Sequence, residues 1–540
     1  MDGLMMHRPL LVADILTYAA DAHRQQGVTS VTVEGGLHRQ TWPQTATRAR
    51  KLAKALLSLG VGFGDRVATL AWNGYRHLEL YYGIPGIGAI CHTLNPRLSA
   101  EQMTYIVGHA EDKAMFLDLT FVPLIEKMKT HFPPDMIYVI MTDSAHMPEN
   151  TFNALCYEDL LAEQDADFAW PDMPEDTACG LCYTSGTTGN PKGALYSHRS
   201  QVLHGMMVAL QAYRSMRPGT NILPVVPLFH ANSWGLAHAA PIVGANLIMP
   251  GPALDGASVF NLMDSEEVFS AWGVPTVWLG LMGEIQKQGR IPKGFGEVVI
   301  GGSAAAPALI KKFEERGVGV LHAWGMTEMS PVGTMGLLPP HMEDLPLDER
   351  VAMKAKQGRR TFGVELKIVD ETGARLPHDG KANGELYVRG NGIVSGYFKN
   401  EEATQKAMDA EGWFGTGDVA TISEDGFLTI TDRAKDLIKS GGEWISSIDV
   451  ENMALGHDHI ANCAVIAVPH PKWDERPVLI AVAAVDSPDK ASIMAHLAEH
   501  LAKWQLPDDI LFVEILPLTA TGKVSKLTLR DTFKDLTLND

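Results

Sequence analysis

Hydrophobic and polar positions follow two periods along the first part of the chain. In residues 46–59 (ATRARKLAKALLSL) apolar residues recur every three or four positions and the run ends at Gly60, which predicts an amphipathic helix. The apolar run of residues 66–72 (RVATLAW) follows a Gly-Asp turn and predicts a buried strand. Such patterns alternate from about residue 10 to residue 340, so we predict layered α/β architecture with largely parallel sheets.

The pattern changes near residue 358. Residues 364–370 (VELKIVD) and 384–389 (GELYVR) alternate polar and apolar positions around Gly-containing turns, which predicts a small antiparallel sheet or β-barrel. The strand-like CAVIAV and the amphipathic KASIMAHLAEHLAKW then predict a small α+β domain. We therefore predict an N-terminal domain over residues 1–432, with its β subdomain at about 358–432, and a small C-terminal domain over residues 433–540.

Composition narrows the class of protein. A chain of 540 residues with 46% hydrophobic and 20% charged residues is an ordinary globular protein of two or more domains. Its formal net charge of -19 repels nucleic acid and anionic membranes, so we expect neither as a partner. The chain contains no run of eighteen apolar residues and no signal-peptide core, which favours a cytoplasmic protein without membrane insertion.

The five cysteines do not form a recognisable framework. An odd number spread thinly through a long chain argues against disulfides. Cys179 and Cys182 form a C-x-x-C pair, which is compatible with redox chemistry or with half of a zinc site. Because no second ligand pair follows and the surroundings are apolar, we interpret both as plain buried thiols.

Residues 183–193 (YTSGTTGNPKG) are the segment most suggestive of chemistry. Glycines let backbone N–H groups approach a ligand, Ser and Thr hydroxyls add donors, and Lys192 adds a charge suited to phosphate. The alternative is a surface turn, but a turn seldom combines so many donors with a lysine. The G-x-x-x-x-G-K-[ST] loop of kinase-like NTPases is excluded, because Pro191 precedes Lys192 and Gly193 follows it.

This loop resembles the phosphate loop of the adenylate-forming superfamily, which contains acyl-CoA synthetases, luciferases and the adenylation domains of peptide synthetases. The resemblance covers essentially the whole chain, because six further motifs follow in the family's order. They are PLFHANSWG (227–235), GGSAAAP (301–307), WGMTE (324–328), GWFGTGD (412–418), DRAKDLIKSGGEWIS (432–446) and LPLTATGKVSK (516–526).

The resemblance implies an acid–thiol ligase that uses ATP to form an acyl-adenylate and then transfers the acyl group to coenzyme A. It implies that Thr184 and Glu328 hold Mg²⁺, a cation that favours oxygen ligands. Asp418 would accept from the ribose hydroxyls with Arg433 as its partner, although a turn cap after Gly417 is an alternative. The remaining implied ATP-binding residues are Ser185, Gly186, Thr187, Thr188, Gly189 and Lys192 around the phosphates, and Gly302, Ser303, Ala304, Trp324, Gly325, Met326 and Thr327 around adenine.

Lys523 is the principal catalytic candidate, together with His230 and Glu328. A lysine in a Gly-flanked loop can reach both the carboxylate and the α-phosphate and so bring two anions together. In isolation Lys523 would be interpreted as a solvated surface lysine, and its place in the TATGKVSK motif reverses that interpretation. His230 could be a core histidine, but by resemblance it borders the acyl carboxylate and the α-phosphate.

The resemblance also implies that the C-terminal domain rotates after adenylation about a hinge at Lys435. The segment KSGGEW would then lie along the pantetheine channel, and three residues further on would meet the nucleotide end of coenzyme A, unless they form an ordinary exposed loop. The candidates for coenzyme A binding are Lys439, Ser440, Gly441, Gly442, Trp444, Lys472, Trp473 and Arg476.

The acid is suggested by the motif PLFHANSWG. Relatives that activate amino acids usually carry an aspartate at the place of His230, so an α-amino acid is not expected. Trp234 could close the acyl pocket and favour a short apolar tail, or could be a structural tryptophan. The full set of implied acyl-site residues is His230, Trp234, Gly302, Gly325, Met326 and Pro331.

Within the superfamily the sequence is most similar to medium-chain fatty acyl-CoA ligases and 3-methylmercaptopropionate-CoA ligases. We therefore expect 3-(methylthio)propanoate or a similar short- or medium-chain acid as substrate, with a general medium-chain specificity as the alternative. Two other hypotheses are an adenylating enzyme with a different acceptor and a non-catalytic nucleotide-binding scaffold. Relatives suggest a homodimer.

Overall fold

The computed structural model describes residues 1, 3–184, 190–441, 443–519, 523–536 and 538. The helices of these residues are α1 (Val12–Ala22), α2 (Trp42–Ser58), α3 (Tyr75–Gly86), α4 (Ala100–Ala110), α5 (Val122–Met128), α6 (Tyr157–Ala162), α7 (His198–Gln211), α8 (Ala231–Trp234), α9 (Leu236–Val243), α10 (Gly256–Ser265), α11 (Pro275–Gln288), α12 (Pro307–Glu314), α13 (Pro340–Glu343), α14 (Leu347–Ala355), α15 (Glu401–Ala407), α16 (Ser447–Ala454), α17 (Lys490–His500) and α18 (Lys526–Thr532).

The strands are β1 (Gly27–Val31), β2 (Leu37–Thr41), β3 (Arg66–Leu70), β4 (Ile90–Thr93), β5 (Asp112–Leu117), β6 (Ile137–Ile140), β7 (Leu155–Cys156), β8 (Ala178–Thr184), β9 (Lys192–Ser197), β10 (Asn221–Pro224), β11 (Asn246–Met249), β12 (Ser270–Gly273), β13 (Glu297–Ile300), β14 (Gly319–Gly325), β15 (Val332–Met335), β16 (Gly358–Arg360), β17 (Val364–Val369), β18 (Gly384–Gly390), β19 (Phe414–Ile422), β20 (Phe427–Arg433), β21 (Ile438–Ser440), β22 (Glu443–Ile445), β23 (Ile460–His470), β24 (Asp474–Ala483) and β25 (Asp509–Phe512).

The two larger sheets are mostly parallel where helices alternate with strands. One sheet has the order β7-β6-β5-β3-β4-β8-β9, in which the strands from β3 to β8 pair in parallel and the β8–β9 pair is antiparallel. The other contains the parallel strands β11-β10-β12-β13-β14. These strands are buried on both faces, as the continuous apolar runs predict. The predicted layered α/β architecture is confirmed.

The predicted antiparallel unit is also present. Strands β17, β18, β19 and β20 pair antiparallel in that order, and β16 and β15 connect them to β14 of the parallel sheet. The unit therefore continues the larger sheet by hydrogen bonds. This continuity brings the end of β14 close to the β19–β20 pair, where two predicted site motifs lie.

The last part of the chain forms its own sheet, with the order β22-β21-β24-β23 and with β25 parallel to β24. Along β23 alternate residues enter two apolar clusters: Cys463 and Val465 pack on one face, and Ala464, Ile466 and Val468 pack on the other. Helices α16 and α17 contribute to the first cluster and α18 to the second. The predicted small α+β unit is confirmed.

Local signals explain where the predicted helices begin. Helix α2 starts at Trp42, four residues before the predicted position, because Thr41 and Gln44 form a capping box. Helix α17 starts after Asp489, whose side chain accepts a hydrogen bond from Ala491 N. Capping therefore fixes the boundaries that hydrophobic periodicity leaves open.

The five cysteines are free and buried, so Cys179 and Cys182 are plain buried thiols on β8, as expected. Burial raises the pKa of both thiols, which suppresses the reactive thiolate. Among the described residues, no helix has the length and apolar character needed to cross a membrane.

Candidate active site

A cavity of about 1180 Å³ opens where β8, β14 and the β19–β20 pair meet residues 448–464 and 523–530. Its lining brings together the predicted ATP, Mg²⁺ and acyl residues that the structure describes. These are Thr184, Lys192, His230, Trp234, Gly302, Ser303, Ala304, Trp324, Gly325, Met326, Thr327, Glu328, Pro331, Asp418, Arg433 and Lys523. The predicted loop residues Ser185, Gly186, Thr187, Thr188 and Gly189 lie outside the described residues.

The β8–β9 pair positions both ends of the candidate phosphate loop. Thr184 ends β8 and pairs directly with Lys192, which begins β9. The Nζ atom of Lys192 lies 5.0 Å from the centre of the Tyr397 ring, a distance at which a cation is attracted to the ring face. Phe398 N donates to Gly193 O at 2.8 Å and fixes Tyr397 beside the loop.

Glu328 is the buried carboxylate of this region. The Tyr397 hydroxyl donates to Glu328 Oε1 at 2.7 Å, so Tyr397 contacts Lys192 with its ring and Glu328 with its hydroxyl. Burial raises the pKa of Glu328, while the Tyr397 hydrogen bond, Arg433 and Lys192 oppose that rise. The Thr184 hydroxyl and the Glu328 carboxylate are hard oxygen donors, which fit Mg²⁺, and a bound cation would stabilise the buried negative charge.

Asp418 makes contacts with both carboxylate oxygens. Arg433 Nε lies 2.8 Å from Asp418 Oδ1, and Trp324 Nε1 donates to Asp418 Oδ2 at 3.0 Å. Asp418 and Arg433 are directly opposed on β19 and β20, which explains their pairing. Burial raises the pKa of Asp418, and Arg433 acts against this effect. This geometry leaves an oriented carboxylate at the cavity wall and disfavours the turn-cap interpretation.

Lys523 reaches this cavity from the C-terminal part of the chain. A Cβ atom placed on Gly302 would lie 3.5 Å from Lys523 Cε, so the glycine permits a close approach. The pKa of Lys523 is lowered to about 8: burial is the largest cause, Arg433 acts in the same direction, and Asp418 and Glu328 oppose both. Lys523 is therefore a partly buried lysine beside the groups predicted to hold ATP, and not a solvated surface lysine.

His230 faces the same region as an uncharged imidazole. Burial lowers its pKa to about 3, and the neighbouring Lys523 contributes in the same direction. A neutral imidazole can accept or donate a hydrogen bond without repelling Lys523. His230 and Lys523, distant in sequence, are therefore electrostatic neighbours.

The residues that follow His230 form an unusual left-handed turn. Ala231, Asn232, Ser233 and Trp234 have φ values of 42°, 56°, 52° and 54°. Their side chains are buried, and the Trp234 ring packs on Gly301, where a Cβ atom would lie 3.0 Å from the indole. Consecutive residues other than glycine in the left-handed region cost conformational energy. They persist only where the surrounding structure holds them in place, and they are most frequent at active sites.

Buried polar side chains hold this turn in place. Asn232 Nδ2 donates to Gln201 Oε1 at 2.8 Å, and Ser233 Oγ donates to Val226 O at 2.8 Å. Asn73 spans the preceding strand end: its amide donates to Val226 O and its carbonyl oxygen accepts from Leu228 N. The sequence motif therefore encodes a backbone shape that places His230 and Trp234 at the cavity.

The candidate coenzyme A residues form a separate surface, and none of the described ones lines the cavity. Lys439 and Trp444 are paired across β21 and β22, with Lys439 Nζ 5.9 Å from the indole. Lys472 Nζ lies 4.8 Å from the Trp473 ring, and Gly441 N donates to Trp473 O. Gly442 lies outside the described residues. Both indoles are about half exposed, at 50% and 42%.

Arg476 differs from the other candidates of this surface. It is buried, and its guanidinium donates to Ser440 Oγ, Asp508 Oδ1 and the carbonyl oxygens of Trp504 and Leu506. In this conformation Arg476 connects β21 to the segment of residues 504–508 by hydrogen bonds. Its contact with coenzyme A stays a prediction.

Tyr397 is a cavity residue that the sequence analysis missed and that contacts two predicted site residues. It lies about two hundred positions after Lys192 and outside the motifs that carried the resemblance. The signal that could have found it is the SGYFKN segment, in which an aromatic residue follows glycine shortly before a helix cap at Asn400. Tyr196 was missed for a similar reason; its hydroxyl donates to Thr327 O at 2.6 Å.

Comparisons with known proteins agree with this geometry. The family profile of the AMP-binding enzyme matches residues 18–398, and that of the AMP-binding enzyme C-terminal domain matches residues 449–523. The chain belongs to the AMP-binding enzyme family. This membership confirms the predicted adenylate-forming superfamily.

Similar proteins extend over the whole chain. A medium-chain-fatty-acid–CoA ligase of Ectopseudomonas oleovorans is 47% identical over 99% of this chain and 98% of that ligase. A 3-methylmercaptopropionyl-CoA ligase of Ruegeria pomeroyi is 46% identical over 99% of each chain. A crystal structure of an anthranilate CoA ligase in complex with anthranoyl-AMP has a TM-score of 0.88 with 24% identity and 99% coverage of both chains, which shows the same fold.

Proposed function

We propose that this acid–CoA ligase activates 3-(methylthio)propanoate or a similar short- or medium-chain carboxylic acid. The observation that carries the proposal is the left-handed turn that places neutral His230 beside Lys523 and packs Trp234 on Gly301. An anion-binding end next to an indole wall suits an acid with a compact apolar tail. The two ligases that are 46–47% identical act on acids of this kind by name.

The first reaction forms the acyl-adenylate. A carboxylate oxygen attacks the α-phosphorus of ATP, the bond to the β-phosphate oxygen breaks, and pyrophosphate leaves with that electron pair. Lys523 neutralises charge on the two approaching anions, and Lys192 does so at the phosphate loop. Thr184 and Glu328 would hold Mg²⁺, which supplies further positive charge against the phosphate oxygens when bound.

Asp418 would hold the nucleotide by its ribose. Its carboxylate is buried, with Arg433 on one oxygen and Trp324 on the other, so its orientation is fixed before the nucleotide binds. The remaining lone pairs can accept from the two ribose hydroxyls. Such pre-organisation lowers the entropy cost of binding.

The second reaction transfers the acyl group to coenzyme A. The thiol loses its proton to solvent, its sulfur attacks the acyl carbonyl carbon, and the acyl–phosphate bond breaks so that AMP leaves with that electron pair. Lys439, Trp444, Lys472 and Trp473 form a basic and aromatic surface that suits a phosphorylated adenine nucleotide, but this surface lies away from the cavity. Rotation about Lys435 would bring it to the acyl-adenylate.

The charges of the cavity argue against an amino acid substrate. A substrate ammonium group needs an available carboxylate. Among the described lining residues, Glu328 accepts from Tyr397 and Asp418 pairs with Arg433. Three other lining acids are engaged likewise: Asp432 with Ser447, Asp436 with Arg530 and Glu451 with Lys526. Asp458 also lines the cavity, but its side chain is exposed to solvent. A neutral tail is therefore the better fit.

A panel of acids tests the proposal. Wild-type enzyme is incubated with ATP, Mg²⁺, coenzyme A and each acid from acetate to dodecanoate, with 3-(methylthio)propanoate included, and AMP and thioester are measured. We expect thioester formation to require coenzyme A and to be most efficient with 3-(methylthio)propanoate or acids of similar length. Absence of AMP formation with every acid would contradict the ligase assignment, and AMP formation without thioester would favour another acceptor.

Trp234→Ala tests the pocket itself. Removal of the indole should move the optimum towards longer acids, by about tenfold in relative kcat/KM, because each accommodated methylene contributes about 1–3 kcal/mol. Trp272→Phe, on strand β12 of the sheet, is a control for losing a buried indole away from the cavity. An unchanged chain-length profile in Trp234→Ala would favour a structural tryptophan. The cytoplasmic location and the homodimer stay predictions.

A further inference from the structure

Outside the cavity, a cluster of histidines gathers around the exposed face of α17. His496, Glu499 and His500 each offer one ligand atom, and these three atoms lie within 4.8 Å of one another. The spacing i, i+3, i+4 places the three side chains on one face of the helix. We propose that this face binds a divalent transition-metal ion of the Zn²⁺ class.

The ring of His496 is held by a hydrogen bond to the neighbouring helix. Its Nε2 atom lies 3.0 Å from Met453 O in α16, and since a carbonyl only accepts, Nε2 carries the proton. The lone pair is then on Nδ1. A histidine that donates one ring N–H to a backbone carbonyl and offers the other nitrogen has the usual outer-shell arrangement of metal sites.

The other two ligands are available. Among the described residues, neither Glu499 nor His500 makes a side-chain hydrogen bond or an ion pair, and both are exposed. Bond lengths of about 2.0–2.2 Å around Zn²⁺ require ligand atoms about 3.4 Å apart. Because the Glu499 and His500 side chains are exposed, rotation can shorten the present separations to that distance.

Neighbouring histidines define the limits of the site. The His496 ring lies 5.4 Å from the His457 ring, but His457 Nε2 pairs with Ser492 Oγ and His457 Nδ1 accepts from His459 N. His457 is therefore not a ligand. Two imidazoles and one carboxylate select Zn²⁺, Ni²⁺ or Cu²⁺ over Mg²⁺, which prefers oxygen ligands alone. Water would complete the coordination.

Zinc titration of the tag-free full-length chain tests the proposal, with a chromogenic zinc chelator as competitor. We expect His500→Ala to weaken Zn²⁺ binding at least about 10–100-fold, since the loss of a ligand costs no less than the loss of an outer-shell partner. His146→Ala removes a histidine half exposed elsewhere and should leave binding unchanged. Glu328→Gln, in the cavity, should also leave it unchanged, which separates this site from the proposed Mg²⁺ site.

A second measurement reports the ligands directly. The electron paramagnetic resonance spectrum of bound Cu²⁺ should show coupling to two imidazole nitrogens in the wild type and to one in His500→Ala. Equal zinc affinity of wild type and His500→Ala, an equal loss in His146→Ala, or identical copper spectra would each overturn the proposal. These outcomes are independent of acid activation, so the proposed function and this site can fail separately.

Discussion

The surroundings of Lys523 give the strongest physical argument for a functional role of a single residue. Its aliphatic stem passes the bare backbone of Gly302, and its ammonium lies near one guanidinium and two buried carboxylates. Burial is the largest influence on the pKa of Lys523, which is lowered to about 8. A lysine with a lowered pKa in a cleft is a functional candidate on physical grounds, and the substrate it would meet is itself anionic.

The pKa of Lys523 predicts the basic limb of the pH profile. The cation is present below pH 8 and is lost as the pH rises through about 8, so kcat/KM for adenylate formation should fall about tenfold per pH unit above that value. Measurement of pyrophosphate release at subsaturating ATP between pH 6 and 10 would show this limb. An arginine at position 523 keeps its charge throughout this range, so the decrease in kcat/KM above pH 8 should be absent in Lys523→Arg. The same limb in Lys523→Arg would refute the assignment.

Tyr397 contacts the catalytic candidate Glu328 and the predicted ATP-binding residue Lys192, and offers a second test. In Tyr397→Phe the ring remains for Lys192, but Glu328 loses its hydroxyl donor. An unsatisfied buried acceptor costs about 1–3 kcal/mol, and the pKa of Glu328 should rise further. We expect the Mg²⁺ concentration needed for half-maximal adenylation to increase about tenfold, with greater loss at low pH. Tyr18→Phe, on an exposed side chain, is the control, and equal behaviour of the two variants would exclude a positioning role.

At the residue scale, contiguous motifs were predictable and long-range partners were not. Thr184 and Lys192 could be predicted because their shared loop has a composition that only a few functions explain. The Asp418–Arg433 pair followed from the resemblance. The contact of Tyr397 could not be predicted without knowing which segments meet, because its hydroxyl reaches Glu328 only after β9 and the segment before α15 are brought together.

At the element scale, the left-handed turn of residues 231–234 is the least predictable feature. Of its residues only Asn232 has a type that often adopts positive φ. The turn forms because Asn73, Gln201 and the end of β10 supply hydrogen bonds from distant parts of the chain. Periodicity predicted α2, β3, β17 and α17 correctly, since these elements depend on local spacing and one buried face.

The strain of this turn can be measured at Ala231, which has a φ of 42°. Ala231→Gly removes a conformational cost of about 1–2 kcal/mol and loses about 0.8 kcal/mol of methyl burial, so its effect on stability should be close to zero. Ala239→Gly, equally buried in the right-handed helix α9, should destabilise by about 1–2 kcal/mol. Urea unfolding of both variants gives the comparison. A similar loss in both would mean that the turn stores no strain.

At the scale of the whole molecule, the C-terminal part presents two different surfaces. One carries Lys523 into the cavity, and the other carries the basic and aromatic residues near Trp444 and Trp473, outside it. The same cavity cannot receive both surfaces at once. The predicted hinge residue, Lys435, lies in the turn after β20 and lines the cavity.

Two variants with opposite defects in the two half-reactions would establish that the C-terminal part presents first one surface and then the other to the cavity. Lys523→Ala should slow adenylation by about 10²–10³-fold, by loss of one charged donor, and largely spare thioester formation from supplied acyl-adenylate. Lys435→Pro should do the reverse, because proline fixes φ while the neighbouring turn bonds, Ala434 N to Gly417 O and Asp436 N to Arg433 O, can remain. Lys435→Ala controls for loss of the side chain.

Single-turnover rates of pyrophosphate release and of acyl-CoA formation separate these cases. If Lys435→Pro slowed both half-reactions equally while Lys435→Ala slowed neither, the proline would have distorted the adenylating arrangement, and the hinge would have to lie elsewhere. If Lys523→Ala slowed both equally, one surface would serve both reactions. Rotation is required only if Lys523→Ala loses adenylation but keeps thioester formation, and Lys435→Pro loses thioester formation but keeps adenylation. If one fixed arrangement of the two surfaces served both steps, neither variant would affect one step and spare the other.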